Sequence, residues 1–463
     1  MESSRTFNSW SSERLVDNFV EFEPGLTAKG AMEESNRCLY CYDAPCIKAC
    51  PTGINIPSFI KRIAANNMKG AARSIMESNP VGASCSRVCP TEELCEGACV
   101  LNQASAPIQI GLLQRYATDW ARNHDVQLFA PGASNGKKVA VIGGGPAGLS
   151  AARELARGGF SVVVFEAREM AGGLDTYGIV SFRLPQSVSL WEVEQVEKLG
   201  VEIRTGVKVG TGISVDQLKE EYDAIVLAAG MGYVPRIGIE GEELEGVYDA
   251  IRLVEATKTG NLPLELAGKR VAVIGAGNTA IDAATCSVRL GAANVKMVYR
   301  RTREEMTAYD FEFEFAKQEG VEFSWLTMPK RIISDADGKV AALECIRMTL
   351  AGETGKDGRR VPVEVEGSEF EMPVEAVVVA IGQERHTELI DLLGIEHERG
   401  VVKIDEATRR TSDPQIYAAG DIIFGSGQGE AMVVSAAEQG KQAAYAISRY
   451  FAGQEDSVIE TAV

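Results

Sequence analysis

The sequence predicts an α/β protein: an α-helical N-terminal region, then two doubly wound parallel-sheet units, the second inserted in the first. Three observations carry this expectation. A strand, glycine turn, helix, strand run begins at residue 137 and recurs at 269. Eight of the ten cysteines fall in two short runs before residue 100, among helical-looking segments. The stretch "PGASNGKK", 131–138, holds turn formers and charge with nothing to bury, and reads as a linker between the two textures.

A chain of 463 residues is long enough for two or three domains with proper cores. Its formal charge of −18 leaves no basic stripe to neutralise phosphates, which excludes a nucleic-acid binder. No apolar stretch has the length that spans a bilayer. "MESSRTFNSW" is polar and lacks a basic start followed by an apolar run, so no secretory signal is expected. The expected location is the cytoplasm. In that reducing setting, clustered cysteines point to metal or redox work before disulfides.

Residues 1–130 are expected to form the helical domain. "NIPSFIKRIAANNMKGAARSIME" has helical periodicity that puts Ile56, Phe59, Ile60 and Ile63 on one face. The cysteine runs are "CLYCYDAPCIKACP", 38–51, and "CSRVCPTEELCEGAC", 85–99. Their spacings are C-x2-C-x4-C-x3-C-P and C-x3-C-x5-C-x3-C. Structural zinc sites use paired C-x2-C knuckles, and only Cys38 and Cys41 make one. Three cysteines and a fourth before proline match the bacterial ferredoxin pattern, in which the fourth serves the other cluster. Two 4Fe–4S clusters are the expectation, with zinc or disulfides as the alternatives.

The first α/β unit opens with "KKVAVIGGGPAGLSAARELARGGFSVVVFEAR". Gly143, Gly145 and Gly148 form G-x-G-x-x-G directly after an apolar strand. The first glycine permits the tight turn, the second lets backbone approach a pyrophosphate, and the third lets the helix pack on the strand. Glu166 ends the second strand, where a carboxylate accepts from both ribose hydroxyls. This suits FAD or NAD and repels a 2′-phosphate. The fold is therefore Rossmann-like, and a bound dinucleotide is expected.

"YDAIVLAAGMGYVPR" and "EAVVVAIGQE" read as the strands by which the chain leaves this unit and returns to it. The FAD-binding domain is then expected at 137–235 and 379–455, with a nicotinamide-binding domain inserted at 236–378. The inserted fingerprint is Gly275, Gly277 and Ala280. Its second strand ends in Tyr299, Arg300 and Arg301, with no acid at the ribose position. Two guanidinium groups there suit a 2′-phosphate, favouring NADPH over NADH; the alternative is a pair of solvated surface charges. In "TSDPQIYAAGDI", 411–422, Gly420 and Asp421 follow an apolar strand. This is similar to the second FAD signature of two-dinucleotide-domain flavoproteins, in which the aspartate binds the ribityl chain. The plainer reading of Asp421 is an N-cap for the helix that follows.

One absence directs the reasoning. No cysteine pair stands beside the first fingerprint, and Cys286 and Cys345 read as buried small residues. Electrons leaving a flavin here need a destination other than a local disulfide, and the N-terminal cysteines offer one.

With "RCLYCYDAPCIKACP", "GASCSRVCPTEELCEGAC", "IGLLQRYATDW", "GIVSFRLP" and "YRRTREEM" in this order, the chain resembles the glutamate synthase small-subunit family. That family includes the N-terminal part of dihydropyrimidine dehydrogenase. The resemblance runs from about Arg37 to Phe451. Within it the chain is most similar to the small subunits of two-chain bacterial dihydropyrimidine dehydrogenases, because Gln114 of "GLLQRY" matches the glutamine that ligates one cluster in that type. The glutamate synthase type has a glutamate there.

The resemblance implies one 4Fe–4S cluster on Cys38, Cys41, Cys46 and Cys99, and another on Cys50, Cys89, Cys95 and Gln114, with Cys85 outside the set. The alternative scheme makes Cys85 a ligand and Gln114 an ordinary helix residue. It further implies that Glu166, the turn Gly172, Gly173, Leu174, and Arg183 bind FAD. Gly275, Ala276, Gly277, Asn278, Thr279, Arg300 and Arg301 would bind the nicotinamide nucleotide. The two-chain bacterial type is NAD-linked, whereas Arg300 and Arg301 suit NADPH, so both nucleotides stay open. Hydride would pass from cofactor to cofactor with no catalytic side chain.

The implied activity is electron input. NAD(P)H reduces FAD, and the clusters deliver electrons to a separate FMN and iron–sulfur subunit that reduces uracil or thymine to the 5,6-dihydro form. No pyrimidine site and no hydrolase constellation are visible, and His124, His386 and His397 stand isolated in polar stretches. The alternatives are the small subunit of glutamate synthase, another NAD(P)H-dependent oxidoreductase of ferredoxin type, and a scaffold that binds no cofactor.

Overall fold

Short caps and apolar faces build the N-terminal helices. Thr27 accepts from Gly30 N at 3.1 Å to start the helix Ala28–Arg37. Asn55 and Asn67 cap Ile56–Ala64 and Met68–Ser78 in the same way. Ile56, Phe59, Ile60 and Ile63 are all buried as the periodicity predicts. The single helical stretch is nevertheless broken, because Asn66 takes a left-handed conformation with φ of +56° before the Asn67 cap. Gly82–Val88 and Ile110–Asn123 complete this layer.

The computed structural model describes residues 17–260, 266–355, 358–425 and 431–454. They divide into two compact units. One comprises the described parts of 24–177, 186–232 and 385–463; the other holds those of 1–23, 178–185 and 233–384.

In the first unit, strands β1 (Lys138–Ile142), β2 (Ser161–Phe165), β3 (Glu202–Arg204) and β4 (Ala224–Leu227) form a parallel sheet. The C-terminal strand Ile416–Ala418 joins it beside β4, giving the order Ile416–Ala418, β4, β1, β2, β3. Alternation along β1 splits the core. Val139 and Val141 face the helices Pro146–Arg157 and Val433–Phe451, while Ala140 and Ile142 face Leu218, Ile390 and Ile422. Arg153 and Lys441 fasten those two helices to the cysteine-bearing layer: Arg153 donates to Glu77 O at 3.0 Å, and Lys441 Nζ to Ser78 O at 2.6 Å.

In the second unit, β5 (Val247–Asp249), β6 (Arg270–Ile274), β7 (Asn294–Val298) and β8 (Glu322–Ser324) are joined by Ala376–Val379 in the order β5, Ala376–Val379, β6, β7, β8. "EAVVVAIGQE" therefore contributes the last strand of the inserted unit's own sheet, not a strand of the first sheet. The unit runs to Glu384, past the expected limit at 378. It also takes in 178–185, whose Phe182 packs with Phe19, Phe22 and Phe315. One face of its sheet meets Asn278–Arg289. The other is covered by an antiparallel sheet of Thr327–Ser334, Val340–Thr354, Arg360–Glu364 and Phe370–Pro373, with Leu343 and Cys345 packed under Ala272 and Ile274. No helix among the described residues is long and apolar enough to cross a membrane.

Candidate functional site

The cysteines sort into two sets that cross the two sequence runs. One cavity is lined by Cys38, Cys41, Cys46 and Cys99, closed by Ile56, Ile60, Ile108 and Ile110. A second is lined by Cys50, Cys89, Cys95, Cys85 and Gln114, with Asn79, Leu94 and Val434. Helix ends and turns place the sulfurs: Cys38 and Cys89 are the C-caps of Ala28–Arg37 and Gly82–Val88, and Cys46 sits in the turn Pro45–Lys48. Glu34 and Arg37 tie the first helix to the loop before Gln114. Glu34 Oε1 accepts from Gln109 N at 2.9 Å, and Arg37 donates to Ala106 O at 2.6 Å.

Gln114 is 7% exposed and its Nε2 donates to Gly82 O at 2.8 Å. With the donor end on a backbone carbonyl, the amide oxygen is the end that can serve a metal. Glu96 Oε1 accepts from Gly111 N at 2.9 Å and so steadies the first turn of Gln114's helix.

Burial raises the Cys38 thiol, with Cys41 and Cys99 adding repulsion, and pushes Cys46 up to about 11. Burial raises Cys95 too, with Glu96, Cys89 and Cys50 adding to it. Without a cation such thiols stay protonated; a bound metal deprotonates them. None of the ten cysteines is in a disulfide. Among the described residues no three His, Cys, Asp or Glu side chains converge tightly enough for a single ion. Thiols set around a cavity suit a polynuclear cluster better than one zinc. The donor sets fit such clusters.

The first fingerprint is built by steric exclusion. Gly143 has φ of +102°, and a Cβ there would lie 2.4 Å from Ala228 O. A Cβ on Gly148 would lie 1.9 Å from Gly143 O, so the helix reaches the strand only with glycine there. Gly145 differs: an added Cβ meets nothing nearer than Gly173 Cα at 3.7 Å. No protein neighbour demands its bare backbone, which fits close approach by a dinucleotide's phosphates. Glu166 is 7% exposed, and its carboxylate accepts from Gly144 N at 2.8 Å and Arg168 N at 2.9 Å. Both oxygens keep lone pairs for ribose hydroxyls.

Gly172 N donates to Gly144 O at 2.7 Å, which brings the turn Gly172, Gly173, Leu174 to the fingerprint. Gly420 comes to the same helix: its added Cβ would lie 2.9 Å from Ala147 Cβ. Asp421 is not the helix N-cap, because the helix starts at Val433 with Met432 as its cap. Arg385 holds Asp421 O at 2.9 Å, while burial raises the Asp421 carboxyl against the pull of that arginine.

Arg183 has partners of its own. It belongs to the inserted unit, where it pairs with Glu312 at 2.7 Å and Asp282 at 3.2 Å. Its charge is matched there by two carboxylates.

The second fingerprint repeats the first. Gly275 has φ of +137°, and a Cβ there would lie 2.2 Å from Ala380 O. Gly277 caps Asn278–Arg289, so the backbone of Asn278 and Thr279 opens the helix. Ala276 O receives Ala308 N at 3.1 Å, and Asn278 Oδ1 receives Tyr309 N at 3.3 Å. Arg300 is exposed, whereas Arg301 is 5% exposed with Nε on Arg360 O at 2.9 Å. The expected arginine pair is thus divided. Cys286 and Cys345 are buried, and burial holds the Cys345 thiol up at about 12 and raises Cys286 as well. Sequence reasoning missed Glu96, Glu192 and Arg359, whose roles depend on partners far away in sequence.

A family model described as "Dihydropyrimidine dehydrogenase domain II, 4Fe-4S cluster" matches residues 15–126. One described as "Pyridine nucleotide-disulphide oxidoreductase" matches residues 137–440. The chain is 34% identical to the NAD-dependent dihydropyrimidine dehydrogenase subunit PreT of Escherichia coli K12, over 94% of this chain and 97% of that one. It is 36% identical to the glutamate synthase [NADPH] small chain of the same strain, over 93% and 94%. It is also 36% identical to the NADP(+)-dependent formate dehydrogenase subunit beta of Moorella thermoacetica, over 88% of this chain but only 60% of that subunit's length. Among solved structures it resembles FprA of Mycobacterium tuberculosis, with a TM-score of 0.56 and 19% identity over 70% of this chain and 87% of the other. Thioredoxin reductase of T. acidophilum gives 0.53 and 22%, over 68% and 99%. At these identities the structural matches establish the fold.

Proposed function

The chain belongs to the pyridine nucleotide-disulphide oxidoreductase family, with a 4Fe-4S domain before it, and from that premise we propose an electron-input subunit. It is an NAD(P)H-linked electron-transfer oxidoreductase. The finer reading is that electrons from NAD(P)H pass by FAD and two 4Fe–4S clusters to an FMN and iron–sulfur partner that reduces uracil or thymine. One observation carries it: two cysteine cavities, the second including Gln114, in a chain with two dinucleotide fingerprints.

When bound, a flavin takes up hydride as an electron pair and iron–sulfur clusters carry single electrons, so the pair supplies a two-to-one-electron exchange. The chain's own residues hold and orient. Gly143, Gly145 and Gly148 with Glu166 receive the FAD pyrophosphate and ribose, and Gly172, Gly173, Leu174, Gly420 and Asp421 flank them. Gly275, Ala276, Gly277, Asn278 and Thr279, with Arg300, receive the nicotinamide nucleotide. Cys38, Cys41, Cys46 and Cys99 hold one cluster; Cys50, Cys89, Cys95 and Gln114 hold the other, with Gly82 fixing the amide.

Gln114 favours the pyrimidine reading over the glutamate synthase one. The second reading is supported by equal similarity to a glutamate synthase small chain. The deciding experiment is anaerobic NADH and NADPH oxidation by this chain alone and with a candidate FMN and iron–sulfur partner subunit. Uracil-dependent oxidation that needs both chains is the expected result. Dye reduction with no response to uracil in the complete complex would discard the pyrimidine partner. Glutamate formation with a glutamine-using partner would favour the second reading.

A further inference from the structure

The strand end that reads the ribose in the second fingerprint can be located by register. Gly143 N donates to Phe165 O at 2.9 Å, and Gly275 N donates to Val298 O at 3.1 Å. Phe165 and Val298 are therefore equivalent, and Tyr299 stands where Glu166 stands in the first unit. An acid at this position binds the 2′-hydroxyl and repels a 2′-phosphate. Here it is a tyrosine, followed by Arg300, which is exposed and makes no hydrogen bond or ion pair with another described residue.

The neighbouring cations are otherwise engaged. Arg301 is buried beneath Arg360 O, Arg360 pairs with Glu304 and Glu305, and Arg303 pairs with Asp310. The antiparallel sheet supplies a further guanidinium. Arg359, just before the strand Arg360–Glu364, donates to the Tyr299 hydroxyl at 3.3 Å and to Glu305 O at 3.5 Å. The Tyr299 hydroxyl itself donates to Glu305 O at 2.8 Å. A hairpin some sixty residues further along the chain thus sets an arginine on the residue that occupies the ribose position.

We propose that Arg359 is a specificity-determining residue: together with Arg300 it receives the 2′-phosphate of NADPH, while Arg301 only supports the strand end. The proposal rests on reading the second fingerprint as the nicotinamide nucleotide site. Two guanidinium groups near one phosphate, with no carboxylate at the ribose position, would both attract the phosphorylated nucleotide and leave the 2′-hydroxyl of NADH without a carboxylate acceptor.

The test is equilibrium binding to the full-length, cofactor-loaded chain, using 2′,5′-ADP and 5′-AMP as probes beside NADPH and NADH. The unmodified chain should bind 2′,5′-ADP more tightly than 5′-AMP, and added salt should narrow the gap. Arg359→Gln should weaken 2′,5′-ADP and NADPH about 10-fold or more, leaving 5′-AMP and NADH within about 2-fold. Arg359→Lys keeps the charge without the fork and should fall between; it decides the matter if the glutamine variant unfolds. Equal weakening of both probes, or no weakening, overturns the proposal while the nucleotide site stands. An unmodified chain that prefers 5′-AMP and NADH overturns it too. A chain that binds none of the four overturns the underlying site reading as well.

Discussion

The side-chain amide of Gln114 donates to the carbonyl oxygen of Gly82 at 2.8 Å, and Gly82 opens the short helix that ends at Cys89. One backbone carbonyl thus fixes the orientation of a non-cysteine donor to the second cavity, at the start of the same short helix that ends at one of its thiols. Cys85 also lines that cavity, yet it lies with Val81, Val434 and Ala437 in a small apolar cluster, and burial raises its thiol strongly. Gln114→Ala should abolish or shift one low-temperature EPR signal of the reduced protein and lower its iron content. Cys85→Ala should leave both signals in place. The reverse pattern would establish the eight-cysteine scheme.

Glu192 grips the same helix from the other side. Its carboxylate accepts from Ala83 N at 2.7 Å, Ser84 N at 3.1 Å and the Ser84 hydroxyl at 2.5 Å, and it is 1% exposed. Burial pushes the carboxyl up to about 8 from an ordinary 4.5, against the opposing hydrogen bonds of Ser84. The folded chain therefore keeps a proton that the unfolded chain has lost. Its contribution to stability is full below about pH 4.5 and declines as pH rises to about 8. Thermal unfolding across that range should show the decline, and Glu192→Gln should flatten it. Glu192→Ala leaves two buried amides unmet and should destabilise by about 1–3 kcal/mol for each. Parallel pH profiles for the parent and the glutamine variant would remove Glu192 as the source.

What could be read from residues alone followed from how local the signal is. Gly143, Gly148 and Gly275 announce themselves because each stands at a fixed spacing after an apolar strand, although the carbonyls that exclude a Cβ at Gly143 and Gly275 belong to the distant Ala228 and Ala380. The crossing of the cysteine sets is not local: Cys99 joins Cys38, Cys41 and Cys46 across some fifty residues of chain, where Arg37 also holds Ala106 O. It reached the sequence reading through family resemblance. The domain membership of Arg183 was not legible, because "FRLP" lies between flavin-domain segments in sequence, whereas aromatic packing of Phe182 takes that segment into the inserted unit. Arg359 and Glu192 carried no signal at all, since each acts on a backbone or hydroxyl group brought to it by the fold.

Arg183 allows a structural role and a flavin-binding role to be told apart. Its guanidinium sits between Glu312 and Asp282, all three largely buried, and its own proton is held more tightly as Glu312 and Asp282 outweigh the effect of burial. Removing it leaves buried carboxylates uncompensated, a loss of about 3–5 kcal/mol. Arg183→Met should lower the thermal midpoint sharply and leave the flavin-to-protein ratio of the folded fraction unchanged. Flavin loss at an unchanged midpoint would establish the binding role expected from the sequence.

Gly440 tests how the C-terminal helix serves the flavin site. A Cβ there would lie 2.0 Å from Ala147 O, on the helix that opens at the first fingerprint, so the two backbones are in contact. That neighbour is main chain and cannot rotate away. Gly440→Ala must part the helices, at about 1–3 kcal/mol. The shift would not stay local. Gln439, the preceding residue, accepts Gly420 N at 2.8 Å through its Oε1, and Gly420 leads directly to Asp421. Moving the helix therefore moves Gly420 and Asp421, which the proposed function places beside FAD, while the cysteine cavities keep every thiol. The expected result is a lower flavin-to-iron ratio, recovered in part by added FAD, with iron content near that of the parent. A variant that loses iron and flavin together would show that the helix supports the whole unit rather than the flavin site.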